Sequence, residues 1–319
     1  MTQLSNTNGI ENPAWLYSFW KFSRPHTIIG TTLSVWGLYA IAIAFTPVLK
    51  SPPIFPLIVA WVACLCGNIY IVGLNQLQDV EIDKINKPHL PIAAGEFSLQ
   101  EGQTIVIATG IFSLLLAGFG GPWLLATVGI SLFLGTAYSL PPIRLKRFPF
   151  WAAFCIYTVR GFIVNLGLFL HSLWVLNDGS YQQVLKGVWI PPAIWALTLF
   201  ILAYTFAIAI FKDIPDIDGD KQYNISTFTI RLGAKSVFNF ARWVLTGCYL
   251  GMAIAGWLIL PGVNSMFVAI AHLTALAIMW WRSFQVDLEN KAAIAQYYQF
   301  IWKLFYLEYL IFPTACLIP

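Results

Sequence analysis

Nine apolar runs recur along the chain, at about 25–46, 54–74, 104–121, 122–140, 151–171, 189–211, 237–260, 263–281 and 296–317. At 1.5 Å of rise per residue, runs of this length cross a hydrocarbon core of about 30 Å. Hydrocarbon offers no water to an exposed N–H or C=O group, so each run is predicted to be a membrane-spanning α-helix. Gly120-Gly121-Pro122 separates the third run from the fourth and predicts a tight turn between neighbouring helices. The fold class is therefore an all-α polytopic membrane protein, with charged loops after the second and sixth helices.

Composition agrees. Of the 319 residues, 58% are hydrophobic and 10% charged, with mean hydropathy +0.71. A soluble domain carries roughly 25% charged residues, so this chain lacks the polar side chains to cover a water-facing surface. With the N-terminus placed in the cytoplasm, fourteen of the eighteen Lys and Arg residues fall on that side. Lys50 and Lys186 fall opposite, and Arg160 and Lys303 lie within spans. That asymmetry fixes the orientation, and the net charge of +4 carries no implication of nucleic-acid binding.

Residues 1–20 are read as a polar cytoplasmic N-terminus with no signal peptide and little room for a transit peptide. This predicts direct insertion, as in a bacterial or cyanobacterial protein. Cys64, Cys66, Cys155, Cys248 and Cys316 fall inside or at the ends of apolar runs and read as small buried side chains. His26, His89, His171 and His272 are scattered and form no ligand cluster.

Nine of the fourteen acidic residues sit in the two cytoplasmic loops. In the first, Asn75, Asp79 and Asp83 are spaced i, i+4, i+8. They drift only about 40° per step around a helix and so share one face. The second span is predicted to continue through them until Pro88 ends the helix. In the second loop, Asp213, Asp216 and Asp220 stand at 0, +3 and +7, with Asp218 pointing elsewhere. Pro215 and Gly219 argue against an unbroken helix there.

Two carboxylate sets at cytoplasmic helix ends would repel each other without a cation. Mg²⁺ suits them, as a hard ion that binds through one or two carboxylates plus phosphate oxygens. Lys84, Lys87, Lys212 and Lys221 stand beside the acids, and a cage for cations alone would not need them. The combination describes a diphosphate site; a solvated or ion-transport loop is the alternative.

These segments resemble the paired Asp-rich motifs of the UbiA superfamily of intramembrane aromatic prenyltransferases. The resemblance spans nearly the whole chain. Asn75-Gln-x-x-Asp79-x-Glu-Ile-Asp83-Lys-x-Asn-Lys-Pro88, followed by Leu90-Pro-x-Ala-x-Gly95-Glu, is similar to the homogentisate prenyltransferase branch. Other branches more often show Asn-Asp in place of Asn75-Gln76 and Arg-Pro in place of Lys87-Pro88. Further matching stretches are Arg24-Pro-His-Thr27, Tyr138-Ser-Leu-Pro-Pro-Ile-Arg144-Leu-Lys-Arg147, Arg160-Gly-Phe-Ile-Val-Asn165 and Lys212-Asp-Ile-Pro-Asp216-x-x-Gly-Asp220-Lys221.

The resemblance implies one prenyltransferase domain over 1–319, its nine helices around a central apolar chamber. It also implies homogentisate as acceptor and a C20 prenyl diphosphate, phytyl diphosphate, as donor, on the route to tocopherol. Asn75, Asp79 and Asp83 are assigned to one Mg²⁺, and Asp213, Asp216 and Asp220 to a second. Lys84, Lys212, Lys221 and Arg144 are assigned to residual phosphate charge. Arg160 lies near mid-membrane, where a charge is costly and faces a cavity or a partner; it is assigned to a substrate carboxylate or the diphosphate, against a structural role. Asn165 follows on the same helix, about 140° around from Arg160 if the helix is regular. Arg24 and His26, at the first helix entrance, are candidates for acceptor binding or for a snorkelling anchor.

A divalent cation transporter is the rival from another class. The lysines within both motifs disfavour it. So does the placing of the motifs four helices apart, which suggests a same-orientation repeat where transporters often show inverted ones. Another aromatic acceptor, such as 4-hydroxybenzoate, is the rival within the superfamily.

Overall fold

The computed structural model describes residues 15–46, 51–179, 190–215, 217, 222 and 227–318. Helices account for all the regular structure among these residues: α1 (Trp15–Phe22), α2 (Pro25–Ala44), α3 (Ile54–Gln78), α4 (Val80–Asn86), α5 (Leu99–Gly120), α6 (Pro122–Ser139), α7 (Pro149–Tyr157), α8 (Val164–Leu176), α9 (Pro192–Lys212), α10 (Phe228–Leu232), α11 (Ala234–Leu258), α12 (Ser265–Ser283) and α13 (Lys291–Leu317). A π-helical turn, Thr158–Ile163, joins α7 to α8. Nine helical stretches among the described residues are long and apolar enough to cross a bilayer. Each coincides with a predicted run, so the protein is a multi-pass membrane protein.

Three departures from the sequence reading matter for the site. First, the helix expected to run unbroken through the first acidic segment is interrupted at Asp79, which closes α3 and opens α4 with φ −119° and ψ 21°. The break is shallow, since Asp83 N still donates to Asp79 O at 2.8 Å. Second, the stretch read as a polar N-terminus ends in α1, whose sequence WLYSFWKF carries apolar side chains on a buried side as well as on an exposed one. Third, the fifth span contains the π turn. Its i→i+5 bonding marks an inserted residue and is frequent at functional sites.

The spans pack as a closed circuit. α2 packs on α3, α3 on α6, α6 on α8 and the π turn, the π turn on α9, α9 on α11, α11 on α12, α12 on α13, and α13 back on α2. α9 and α13 are the most enclosed spans, whereas α12 shows most of its surface outward. Outward-facing Leu115, Phe119, Phe133 and Trp257 are exposed apolar side chains suited to lipid contact. Inside, His272 Nε2 lies 3.0 Å from Glu308 Oε2, both fully buried. This pairing is how ionisable groups are tolerated at that depth.

Candidate active site

Asp79 is the hub of the first acidic segment. Its Oδ1 accepts from Arg144 Nη2 at 2.9 Å, and its Oδ2 accepts from Lys146 Nζ at 2.5 Å and from Asn75 Nδ2 at 3.0 Å. Asn75 and Asp79 are one turn apart at the end of α3, so the spacing seen in sequence brings them into contact. Arg144 also donates to Gln78 O at 3.3 Å. It reaches this position through a left-handed backbone, φ 39°, uncommon for a residue with a Cβ. Burial lowers the Lys146 ammonium below its usual range, against the opposing pull of Asp79. Asp83 is buried and lies within the field of Lys146.

Lys84 goes elsewhere. It pairs with Glu81 at 2.8 Å, with both side chains largely solvent-exposed. The cations that reach Asp79 come instead from the α6–α7 loop, a long-range contact that adjacency along the chain does not reveal. Glu101 leaves the acidic set too: with Ser98 it forms the capping box that opens α5.

The second acidic segment begins beside the first. Lys212 Nζ lies 3.9 Å from Asp213 Oδ1 at the end of α9. Tyr138, at the end of α6, stands in the combined field of Lys212, Asp79, Arg24 and Asp213. Asp79 of the first motif and Lys212 and Asp213 of the second therefore all lie near Tyr138. Asp216, Asp220 and Lys221 lie outside the described residues.

A second centre sits deeper. Arg160 is presented by the π turn with its guanidinium 4.9 Å from the Trp302 ring and 5.8 Å from Phe305, both on α13. Such stacking stabilises a cation by the ring quadrupole. Tyr298, Tyr306 and Tyr309 also surround it. No carboxylate is paired with Arg160 among the described residues. His26 stands in the field of Arg24, Arg160 and Lys87, with its ring 5.0 Å from Trp302, so it bridges the two centres. Arg24 Nη2 reaches Asn75 Oδ1 at 3.4 Å.

Asn165 is fully buried beneath Arg160. Its Nδ2 donates to Gly161 O at 2.7 Å, and its Oδ1 accepts from Tyr309 Oη at 2.7 Å. Both ends of the amide are thus held by protein groups around the π turn. A regular helix would have carried Asn165 well away from Arg160; the wider turn brings its Nδ2 within 3.5 Å of Arg160 O. Gly161 is needed for the same packing, because a Cβ there would meet Leu202 Cδ2 at 2.2 Å.

Comparison with known proteins bears on this arrangement. The model of the UbiA prenyltransferase family matches residues 27–304. The chain belongs to that family. It is 55% identical to homogentisate phytyltransferase of Synechocystis sp. over 96% of this chain and 97% of that protein. It is 42% identical to chloroplastic homogentisate phytyltransferase 1 of Arabidopsis thaliana, over 93% of this chain and 75% of that one. Among solved structures, a UbiA homologue from Archaeoglobus fulgidus bound to GPP and Mg²⁺ aligns with TM-score 0.62 at 16% identity, covering 94% of this chain and 99% of that one. At that identity the likeness concerns the fold.

Lys146 lies in a stretch already noted as matching, two residues beyond Arg144, but its partner is 67 positions away. Trp302, Phe305, Tyr306 and Tyr309 form an aromatic stripe at helical spacing. That stripe could have been found from its period, yet in an apolar span it looks like any packed face.

Proposed function

We propose that the chain transfers a phytyl group from phytyl diphosphate to homogentisate. Diphosphate and CO₂ are lost, giving 2-methyl-6-phytyl-1,4-benzoquinol for tocopherol synthesis. The observation that carries this reading is the near full-length, 55% identity to the Synechocystis homogentisate phytyltransferase. The geometry supports it with an acidic cradle at the membrane surface and, at Arg160, a buried cation with no carboxylate partner among the described residues.

The donors at the cradle fit Mg²⁺. They are amide and carboxylate oxygens, hard ligands, and Asp79 sits where positive charge is already held by Arg144 and Lys146. No group of three or more His, Cys, Asp or Glu forms a protein-only cage among the described residues. Asn75, Asp79 and Asp83 would hold one ion, and Asp213, Asp216 and Asp220 a second. Bound Mg²⁺ would stabilise negative charge on the departing diphosphate.

The chain's own groups do the rest. Arg144, Lys146, Lys212 and Lys221 hold phosphate oxygens, and Arg24 steadies Asn75. Arg160 takes the acceptor's carboxylate, with Trp302 and Phe305 fixing the guanidinium plane. The enclosed helices exclude water from the reacting allylic carbon. The prenyl tail, which favours burial by about 0.8 kcal/mol per CH₂, is delivered from the bilayer. Residues 1–319 act as one transferase domain with its acidic loops facing the cytoplasm, in a cyanobacterial plasma or thylakoid membrane.

The test uses membranes containing the expressed protein, Mg²⁺, phytyl diphosphate and either homogentisate or 4-hydroxybenzoate. Product should form only with homogentisate, lack the carboxyl carbon and disappear with a chelator. Geranylgeranyl diphosphate should serve less well, by a modest margin, because its tail equals phytyl in length and even a whole methylene is worth only about 1–3 kcal/mol in an apolar pocket. Prenylated 4-hydroxybenzoate with homogentisate untouched would overturn the acceptor assignment. Cation flux without any prenyl product would overturn the enzyme.

A further inference from the structure

The segment that carries Asp79 and Asp83 is tied to α1 at both of its ends. At the near end, Gln76 is 1% exposed and points away from the cradle that Asn75 faces. Its Nε2 donates to Phe22 O at 2.8 Å and to Val72 O at 3.3 Å. Phe22 is the last residue of α1, where helix carbonyls have no intrahelical partner. The Phe22 ring lies directly on α3: a Cβ on Gly73 would meet Phe22 Cζ at 2.7 Å.

At the far end, Glu96 accepts from Ser18 Oγ at 2.7 Å and forms an ion pair with Lys21, both on α1. Burial works to raise the Glu96 carboxyl, but hydrogen bonds from Lys21 and Ser18 outweigh it and hold it below its usual range. Phe97 then packs against Phe22 and Trp15, with ring centroids 5.9 and 5.8 Å apart. Phe22, Ile69, Leu74, Ile92, Phe97 and Val106 make a separate apolar cluster beneath α1.

These two ties have a direct line to the cradle. Two residues beyond Phe22, Arg24 turns through φ 53° and contacts Asn75, which contacts Asp79. Gln76 fixes Phe22, and so sets where Arg24 sits over its own neighbour Asn75. We propose that α1 is a brace for the first acidic segment, and that Gln76 is a positioning residue whose amide holds Asn75 and Asp79 in metal-binding geometry. An Asp at this position has no N–H to offer the Phe22 carbonyl, so the brace needs a side-chain donor such as the Gln76 amide. The inference rests on the magnesium diphosphate reading of the site.

The test compares wild type with Gln76→Met, which keeps the length of the side chain and removes the donor, and with Glu96→Gln, which weakens the far tie. Two readouts are made: Mn²⁺ binding in the presence of inorganic diphosphate, followed by electron paramagnetic resonance, and the Mg²⁺ concentration giving half-maximal turnover. In Gln76→Met the Mn²⁺ dissociation constant and the half-activating Mg²⁺ concentration should both rise by roughly tenfold, the scale of one buried hydrogen bond lost with its carbonyl left unpartnered. Glu96→Gln should shift them the same way by less, and KM for homogentisate should stay fixed in both. Amide exchange over residues 79–97 should quicken in both variants.

Wild type that binds no Mn²⁺ with diphosphate would overturn the magnesium reading. Wild-type binding with unchanged metal affinity in Gln76→Met would overturn the brace while leaving that reading intact. So would a mere drop in folded yield at constant metal dependence. Should Gln76→Met fail to insert, Glu96→Gln alone decides by the same criterion.

Discussion

The protein holds charge in two centres that solve opposite electrostatic problems. At the membrane surface, Asp79 is surrounded by donors, with Arg144, Lys146 and Asn75 all within 3.0 Å. Inside the fifth span, which begins at Phe150, Arg160 has aromatic faces around it and no paired carboxylate among the described residues. A buried pair such as His272 and Glu308 is closed within the protein. Asp79 is balanced by side chains that can be shared with an incoming phosphate. Arg160 is stabilised only in part, because ring faces contribute roughly 0.5–2 kcal/mol against the large cost of a charge at that depth. On the proposed function, the surface centre would exchange partners with the diphosphate and the deep centre would receive an anion.

Removing the hub should give the largest effect. Asp79→Asn keeps the shape and leaves the amide to face two cations, so turnover should fall by about 10²–10³-fold, the range for losing a preorganised electrostatic group. The variant should still insert and purify as wild type does. Near-normal turnover in membranes with verified protein content would mean that the surface centre does not bind the leaving group.

Arg160→Gln probes the deep centre. A hydrogen bond to a charged group contributes roughly 1.5–3 kcal/mol, so catalytic efficiency for homogentisate should fall by roughly 10- to 100-fold. The thermal midpoint should barely move, or even rise, since an uncompensated charge is removed from the bilayer interior. Parallel losses of folded yield and activity would make Arg160 a structural cation and dissolve the contrast between the two centres.

How much of this was legible beforehand follows from the range of each interaction. The nine spans were readable because hydrocarbon imposes one requirement on every residue of a run, and no partner elsewhere in the chain is needed. The contact of Asn75 with Asp79 was readable because it is one helical turn long. Lys146 on Asp79 and Tyr309 on Asn165 were not, because these pairs meet only through packing of distant helices. Lys84 shows the converse: next to Asp83 in sequence, it pairs outward with Glu81. The π turn left no mark in the hydropathy pattern. It is the reason a fixed step of 100° per residue misplaced Asn165 relative to Arg160.

The finest test of the deep centre is Tyr309→Phe, which removes one hydroxyl and nothing else. Tyr309 Oη donates to Asn165 Oδ1, and Asn165 Nδ2 in turn holds the Gly161 carbonyl beside Arg160. Without the hydroxyl, a fully buried amide oxygen loses its donor, at a cost of about 1–3 kcal/mol. The π turn should therefore loosen, with a thermal midpoint a few degrees lower. Efficiency with homogentisate should fall by only a few fold, because Arg160 keeps its charge and its seat on Trp302. Half-activating Mg²⁺ should not move, since the bonds that hold Asp79 come from Asn75, Arg144 and Lys146. A loss as deep as that of Arg160→Gln at unchanged stability would mean the hydroxyl itself meets the substrate. A variant identical to wild type in both measurements would mean that α13 does not position Arg160 through this bond.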